Sequence, residues 1–191
     1  MAAKLLTNCA ASTLLTNCAA STLLVDCEQT CTFTITATLD WTDGTDLDLY
    51  GREGKLGLGV LPAVYFGNLS QVGVGGTLTL NKDAHPNCES YPYPPEIISG
   101  NYTFDKPILR KFRFWYNRYS SCVPEGGSYT GTETTEIRVT NTGGYSICVN
   151  GEDIDPGDYY VSSTIYHLSS DGPQDGYSGG TLIEITCASC P

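Results

Sequence analysis

Asp43, Asp46 and Asp48 crowd one turn and the segment after it, in the run Trp41-Thr-Asp-Gly-Thr-Asp-Leu-Asp-Leu-Tyr50. Residues two apart on a strand share a face, so Asp46 and Asp48 project together. Carboxylates that close repel one another unless a cation or hydrogen-bond donors intervene. A hard cation is the chemistry such a group can do, and Ca²⁺, which takes roughly six to eight oxygens, is the cofactor expected. The spacing is not that of an EF-hand, which needs a Glu at the end of its loop. Turn-forming or solvated aspartates are the plainer alternative. A second acidic stretch, Glu152-Asp-Ile-Asp-Pro-Gly-Asp158, reads as a loop.

Cysteine is the other reactive element. Nine cysteines in 191 residues point to an oxidising, extracellular or cell-surface setting. Cys27, Cys31, Cys187 and Cys190 form two close pairs near the two ends of the chain. Bridges between them would staple the first and last strands, in an order that spacing leaves open; a four-thiolate zinc site is the alternative. Cys88, Cys122 and Cys148 are then the acceptors for Cys9 and Cys18. Gly176-Tyr-Ser178-Gly-Gly180 fits a nucleophile pattern, and His85 and His167 are the only histidines. A nucleophile elbow needs a strand–turn–helix context that is missing here, so no catalytic residue and no enzyme activity are expected. Asn68-Leu-Ser70 and Asn101-Tyr-Thr103 are glycosylation sequons.

The cysteines at 9, 18 and 27 belong to a repeat. Leu-Leu-Thr-Asn-Cys-Ala-Ala-Ser-Thr occupies 5–13 and again 14–22, and a degraded copy begins at Leu23. Leu5/Leu6, Leu14/Leu15 and Leu23/Leu24 thus recur every nine residues, and Leu5 to Val25 carries no charge. The segment has too many Thr, Asn and Ser for a membrane span. A nine-residue shift would throw the leucine pairs onto opposite sides of a helix. Nine is also odd, so each copy reads as a short strand, Leu-Leu-Thr-Asn-Cys, followed by a bend. Extended, one copy spans roughly 30 Å, close to the width of a domain of this size, about 40 Å. Residues 1–26 are therefore read as an arm that docks on neighbouring copies, and 27–191 as one domain.

The elements that must carry these groups are strands. At 30–41, Thr30 to Thr38 take one face, and Cys31, Phe33, Ile35, Ala37, Leu39 and Trp41 the other, the mark of a half-buried antiparallel strand. Further strands are expected at 45–50, 60–66, 76–81, 100–104, 109–119, 159–168 and 181–187, with a hairpin from 132–140 and 143–150. The class is all-β: a β-sandwich or jelly roll of about ten strands with an extended N-terminal arm. Arg110, Lys111, Arg113 and Arg118 read as a solvated strand face. A net charge of −11 argues against nucleic acid as a partner.

Trp41 to Tyr50 resembles the start of YfaP-like bacterial domains of unknown function. Val64-Tyr-Phe-Gly-Asn68, Gly75-Gly76 with Thr77 to Asp83, Pro95-Glu-Ile97 and Gly100-Asn-Tyr102 follow in that family's order, over about 32–120. The chain departs from the pattern by a Cys- and Pro-rich insertion between Asp83 and Glu96, and by lacking a clear Pro-x-Gly after Tyr50. The resemblance implies a secreted β-sandwich of no settled activity, and adds Asp83 and Glu96 to Asp46 and Asp48 as metal ligands. The arm lies outside it and resembles in logic the donor strands of pilus-like filaments.

Two functions are expected from this. The first is a structural subunit of an extracellular filament, a polar homo-oligomer assembled by the arm and locked by disulfides. In a polar filament every bridge joins two different positions, because self-pairing needs a two-fold axis; an odd cysteine count then leaves one thiol over. The alternative is a calcium-dependent adhesion or carbohydrate-binding module, with Tyr91, Tyr93, Trp115 and Tyr116 as stacking residues.

Overall fold

A computed structural model describes residues 30–42, 45–54, 62–84, 94–104, 109–121, 132–143, 146–155, 157–162, 165–168, 180–188 and 190. The whole expected arm lies outside this set, including its leucine pairs Leu5 and Leu6, Leu14 and Leu15, and Leu23 and Leu24, and its cysteines Cys9 and Cys18. Cys27, Asp43, His85, Cys88, Tyr91, Tyr93, Cys122 and Ser178 lie outside it as well. Among the described residues twelve strands are present: β1 (Cys31–Trp41), β2 (Thr45–Gly54), β3 (Ser70–Val72), β4 (Gly76–Leu80), β5 (Glu96–Phe104), β6 (Leu109–Ser121), β7 (Glu133–Asn141), β8 (Ile147–Val149), β9 (Glu152–Ile154), β10 (Gly157–Ser162), β11 (Tyr166–Leu168) and β12 (Thr181–Thr186). They form two six-stranded sheets packed face to face, a β-sandwich. No helix occurs among the described residues, so none there is long and apolar enough to cross a membrane.

The first sheet runs β10-β7-β1-β5-β4-β3. β1 sits at its centre and alternates as expected, with Phe33, Ile35, Ala37, Leu39 and Trp41 buried and its threonines half-buried. In the second sheet β2 lies along one side of β6, while the other side pairs with β12 over its first half and, in parallel, with β11 over 115–117; β8 and β9 follow β12. Phe33, Tyr102, Phe104 and Phe112 meet in stacked and edge-on pairs between the sheets. Their large buried area makes this aromatic group a main contributor to the core.

Several sequence expectations are corrected. The described residues of 143–150 make no hairpin with β7. β7 pairs with β1 and β10, and β8 belongs to the other sheet. The expected strand at 159–168 is split between the sheets as β10 and β11. In place of a strand at 60–66, the described part has two isolated bridges, Gly51–Val64 and Tyr65–Asn68. The acidic stretch from Glu152 is strand β9 and the start of β10.

Disulfides join Cys31 to Cys187 and Cys148 to Cys190. The first staples the first and last strands. The second removes Cys190 from any pairing with Cys27, and uses Cys148, which is therefore no acceptor for the arm. These pairings also remove the four-thiolate zinc alternative.

The basic run is likewise no single solvated face. Strand alternation turns Arg110 inward with Phe112, Phe114 and Tyr116, and Lys111 and Arg113 the other way. Arg110 is fully buried, with its guanidinium over the Phe104 ring and its Nε 3.7 Å from Glu53 Oε1. Glu53 continues the inward row of Leu47, Leu49 and Gly51 on β2, and burial, countered by Arg110, raises its carboxyl pKa. Gly73 lies so close to Glu53 that any β-carbon there would strike the carboxylate.

Candidate metal centre

The Trp41–Tyr50 run builds the site. The buried Trp41 indole donates from Nε1 to Thr45 O at 2.7 Å, which pins the turn between β1 and β2. Leu47 and Leu49 then enter the core, leaving Asp46, Asp48, Tyr50 and Arg52 in a row on the opposite face. Between Asp46 and Leu47 the pairing with β6 shifts by one, with Tyr119 of β6 as the extra residue, so the ladder is broken at the start of the row. Tyr50 stacks between Tyr65 and Trp115, at 5.4 and 5.5 Å between ring centroids. Every residue from Thr45 to Glu53 is buried, Tyr50 within that stack.

The third carboxylate arrives from the other sheet. Asn81, just past β4, accepts from Lys82 N and Ile97 N through Oδ1 and donates from Nδ2 to Pro95 O. This clamp ties 81–84 to the start of β5 and carries Asp83 to the row. Candidate ligand oxygens of Asp46, Asp48 and Asp83 all lie within 4.8 Å of one another. Asp46 and Asp48 are 4% and 3% exposed. Burial, with Asp83 adding repulsion, pushes the Asp46 carboxyl up to about 6.

Glu96 stands beside this trio and is not one of it. Its Oε2 accepts from Leu49 N at 2.7 Å and its Oε1 from Ala84 N at 3.0 Å. It thus ties the open side of β2 to the 81–84 turn and braces both elements that bring the aspartates together. Burial outweighs the two donated N–H groups and, with Asp48 and Asp83 nearby, pushes its carboxyl up to about 8. Three carboxylates form an all-oxygen set, which suits a hard cation such as Ca²⁺ and not the sulfur and nitrogen preference of zinc.

Sequence reasoning missed Trp41, Asn81 and Asn117 as parts of this site. Asn117 is buried directly opposite Asp48 across β2 and β6. An asparagine within a Lys-Phe-Arg-Phe-Trp-Tyr run was the available signal, since a buried amide needs a polar neighbour. The expected stacking residues fare differently: Trp115 is fully buried against Tyr50, and Tyr116 is buried with its hydroxyl donating to Glu133 Oε2 at 2.6 Å. Neither offers an exposed ring. Of the sequons, Asn101 is exposed on β5, whereas Asn68 donates from Nδ2 to Ala63 O at 2.7 Å. Comparison with protein-family models, curated proteins and solved structures finds no match.

Proposed function

We propose that this chain is a structural subunit of an extracellular filament, in which the N-terminal repeat of one copy docks on the folded domain of another. The observation that carries this reading is the repeat itself, an uncharged unit, Leu-Leu-Thr-Asn-Cys-Ala-Ala-Ser-Thr, that stands twice in succession ahead of β1. The repeat, with its leucine pairs and cysteines, precedes a domain already closed by the Cys31–Cys187 staple. Cys9, Cys18, Cys27, Cys88 and Cys122 lie outside the described residues; inter-subunit locks are the use proposed for Cys9 and Cys18, with Cys88 and Cys122 as acceptors. The two disulfides favour an oxidising compartment. Non-reducing electrophoresis with thiol counting tests it: a covalent ladder that collapses on reduction, with one thiol per chain beforehand, supports locking. A single monomer band leaves docking to strand pairing and leucine burial alone.

A second reading, a calcium-dependent extracellular module, is favoured by the convergence of Asp46, Asp48 and Asp83. The two are compatible, because a cation there would tie β2 to the 81–84 turn. Calcium titration followed by melting temperature, with Asp46→Asn/Asp48→Asn as the control, tests it; no response in the parent chain removes the cation.

A further inference from the structure

We infer that the free edge of β3 is the acceptor for the Leu-Leu-Thr-Asn-Cys segment of the repeat, an inference that rests on the assembly reading. Among the described residues β3 ends the first sheet. Gly73 N donates to Gly76 O, and Leu80 N donates to Leu69 O. In an antiparallel ladder this alternation turns Leu69, Gln71 and Gly73 toward β4, and the backbone groups of Ser70 and Val72 away from it. The edge is also apolar: Val72 is 76% exposed, and Phe66, Leu69 and Val74 are exposed around it.

Edges of this kind are usually guarded by charge, and the other end of the same sheet is. There β10 presents Asp158, paired with Arg138, beside the exposed acidic residues of β9. The sequence around β3 supplies no such guard: Leu56 to Asn81 contains no charged residue in a chain of net charge −11. The repeat is likewise a long uncharged run, from Leu5 to Val25. These two segments can meet without burying a charge. The lengths also agree, since the five residues Leu69–Gly73 match the five of Leu-Leu-Thr-Asn-Cys.

Reach is sufficient. The repeat joins β1 at Cys31, which pairs with Phe104, and Thr103 N donates to Gly75 O in the β3–β4 turn. The arm therefore leaves from the end of the sheet that holds this turn, three strands away, or roughly 15 Å. Its 29 residues before Thr30 extend to roughly 100 Å, enough to pass its own edge and meet that of a neighbour. A strand added there would gain ladder hydrogen bonds and place leucines beside Val72 and Leu69.

The test uses the full-length chain with two readouts: particle size, and amide exchange of the 69–74 segment. Variants are Val72→Pro, which removes an outward N–H while leaving the bonds to β4; Val72→Lys, a milder change at the same exposed site; Tyr160→Lys on the β10 edge; and Leu5→Asp/Leu14→Asp/Leu23→Asp in the arm. The expected result is slow exchange at Ser70 and Val72, lost in the arm variant and kept in Tyr160→Lys. Either Val72 variant should raise the concentration needed for assembly about tenfold or more, the equivalent of one or two ladder bonds. Assembled particles with fast exchange at Ser70 and Val72 overturn the inference and leave the assembly reading standing. Protection in a monomer, lost in the arm variant, keeps the edge as the arm's site and overturns the assembly reading. Protection that survives in the arm variant means a second copy's β3 is the occupant, and overturns the inference.

Discussion

The two ends of β2 both bury carboxylates and handle them differently. At the far end Glu53 faces the core with Arg110, a cation supplied by the neighbouring strand and seated over Phe104. At the near end Asp46 and Asp48 face Asp83, another acid, and burial raises Asp46. One end carries its counter-ion within the chain. The other brings three carboxylates together, a group that could hold a metal ion. A shared strand thus separates a structural charge pair from a candidate ligand site, and the identity of the facing residue makes the distinction.

The largest effect is expected at the far end. Glu53→Gln or Arg110→Met alone leaves a buried charge without its partner and should cost about 3–5 kcal/mol of unfolding free energy. The double variant Glu53→Leu/Arg110→Met should recover most of that loss, because burying the pair itself is expensive. Chemical denaturation of the three variants checks this, and additive losses would show that the two groups are not coupled.

Next comes the near end. Calcium at about a hundred times its dissociation constant should add about 2.7 kcal/mol, read as a rise in melting temperature that chelator reverses. Asp46→Asn/Asp48→Asn should abolish the response, while the Glu53 and Arg110 variants keep it. A response equal in all of them would place the ion elsewhere.

The contrast also has a pH signature. In chelator, Asp46 and Glu96 have folded values above the unfolded 3.8 and 4.5. Their contribution is full below those unfolded values and is lost as pH rises to about 6 for Asp46 and about 8 for Glu96. Stability should therefore fall across this window, by up to about 1.4 kcal/mol per pH unit for each titrating group. Glu96→Gln should flatten the upper part of the curve. Saturating calcium should flatten the lower part, by holding Asp46 ionised.

The smallest effect is expected from Asn81→Ala, which frees the clamp on Asp83. A loss of about 1–2 kcal/mol is expected, together with weaker calcium binding although no carboxylate is removed. Unchanged calcium affinity would show that Asp83 needs no positioning.

Much of this was legible in local pattern. Alternation at 30–41 gave the central strand and its buried face, and Asp46-Leu-Asp48 gave the shared side of two carboxylates. What stayed hidden depends on tertiary placement. Nothing in a three-residue stretch such as Ser70–Val72 or Glu152–Ile154 marks it as a strand, because a neighbour's ladder decides it. Arg110 looked solvated because its charge outweighed the strand period; counting in twos from Phe112 turns it inward. Glu96 passed for a ligand because its carboxylate, like Asp83's, is brought to the near end of β2. Only the Leu49 and Ala84 amides, from elements distant in sequence, reveal it as a brace.

Assembly through the repeat is the central claim, and its most direct measurement is an electron micrograph of the full-length chain beside a chain lacking residues 1–24. Filaments from the first and folded, calcium-responsive monomers from the second are the predicted result. Filaments of the same form from both would contradict it.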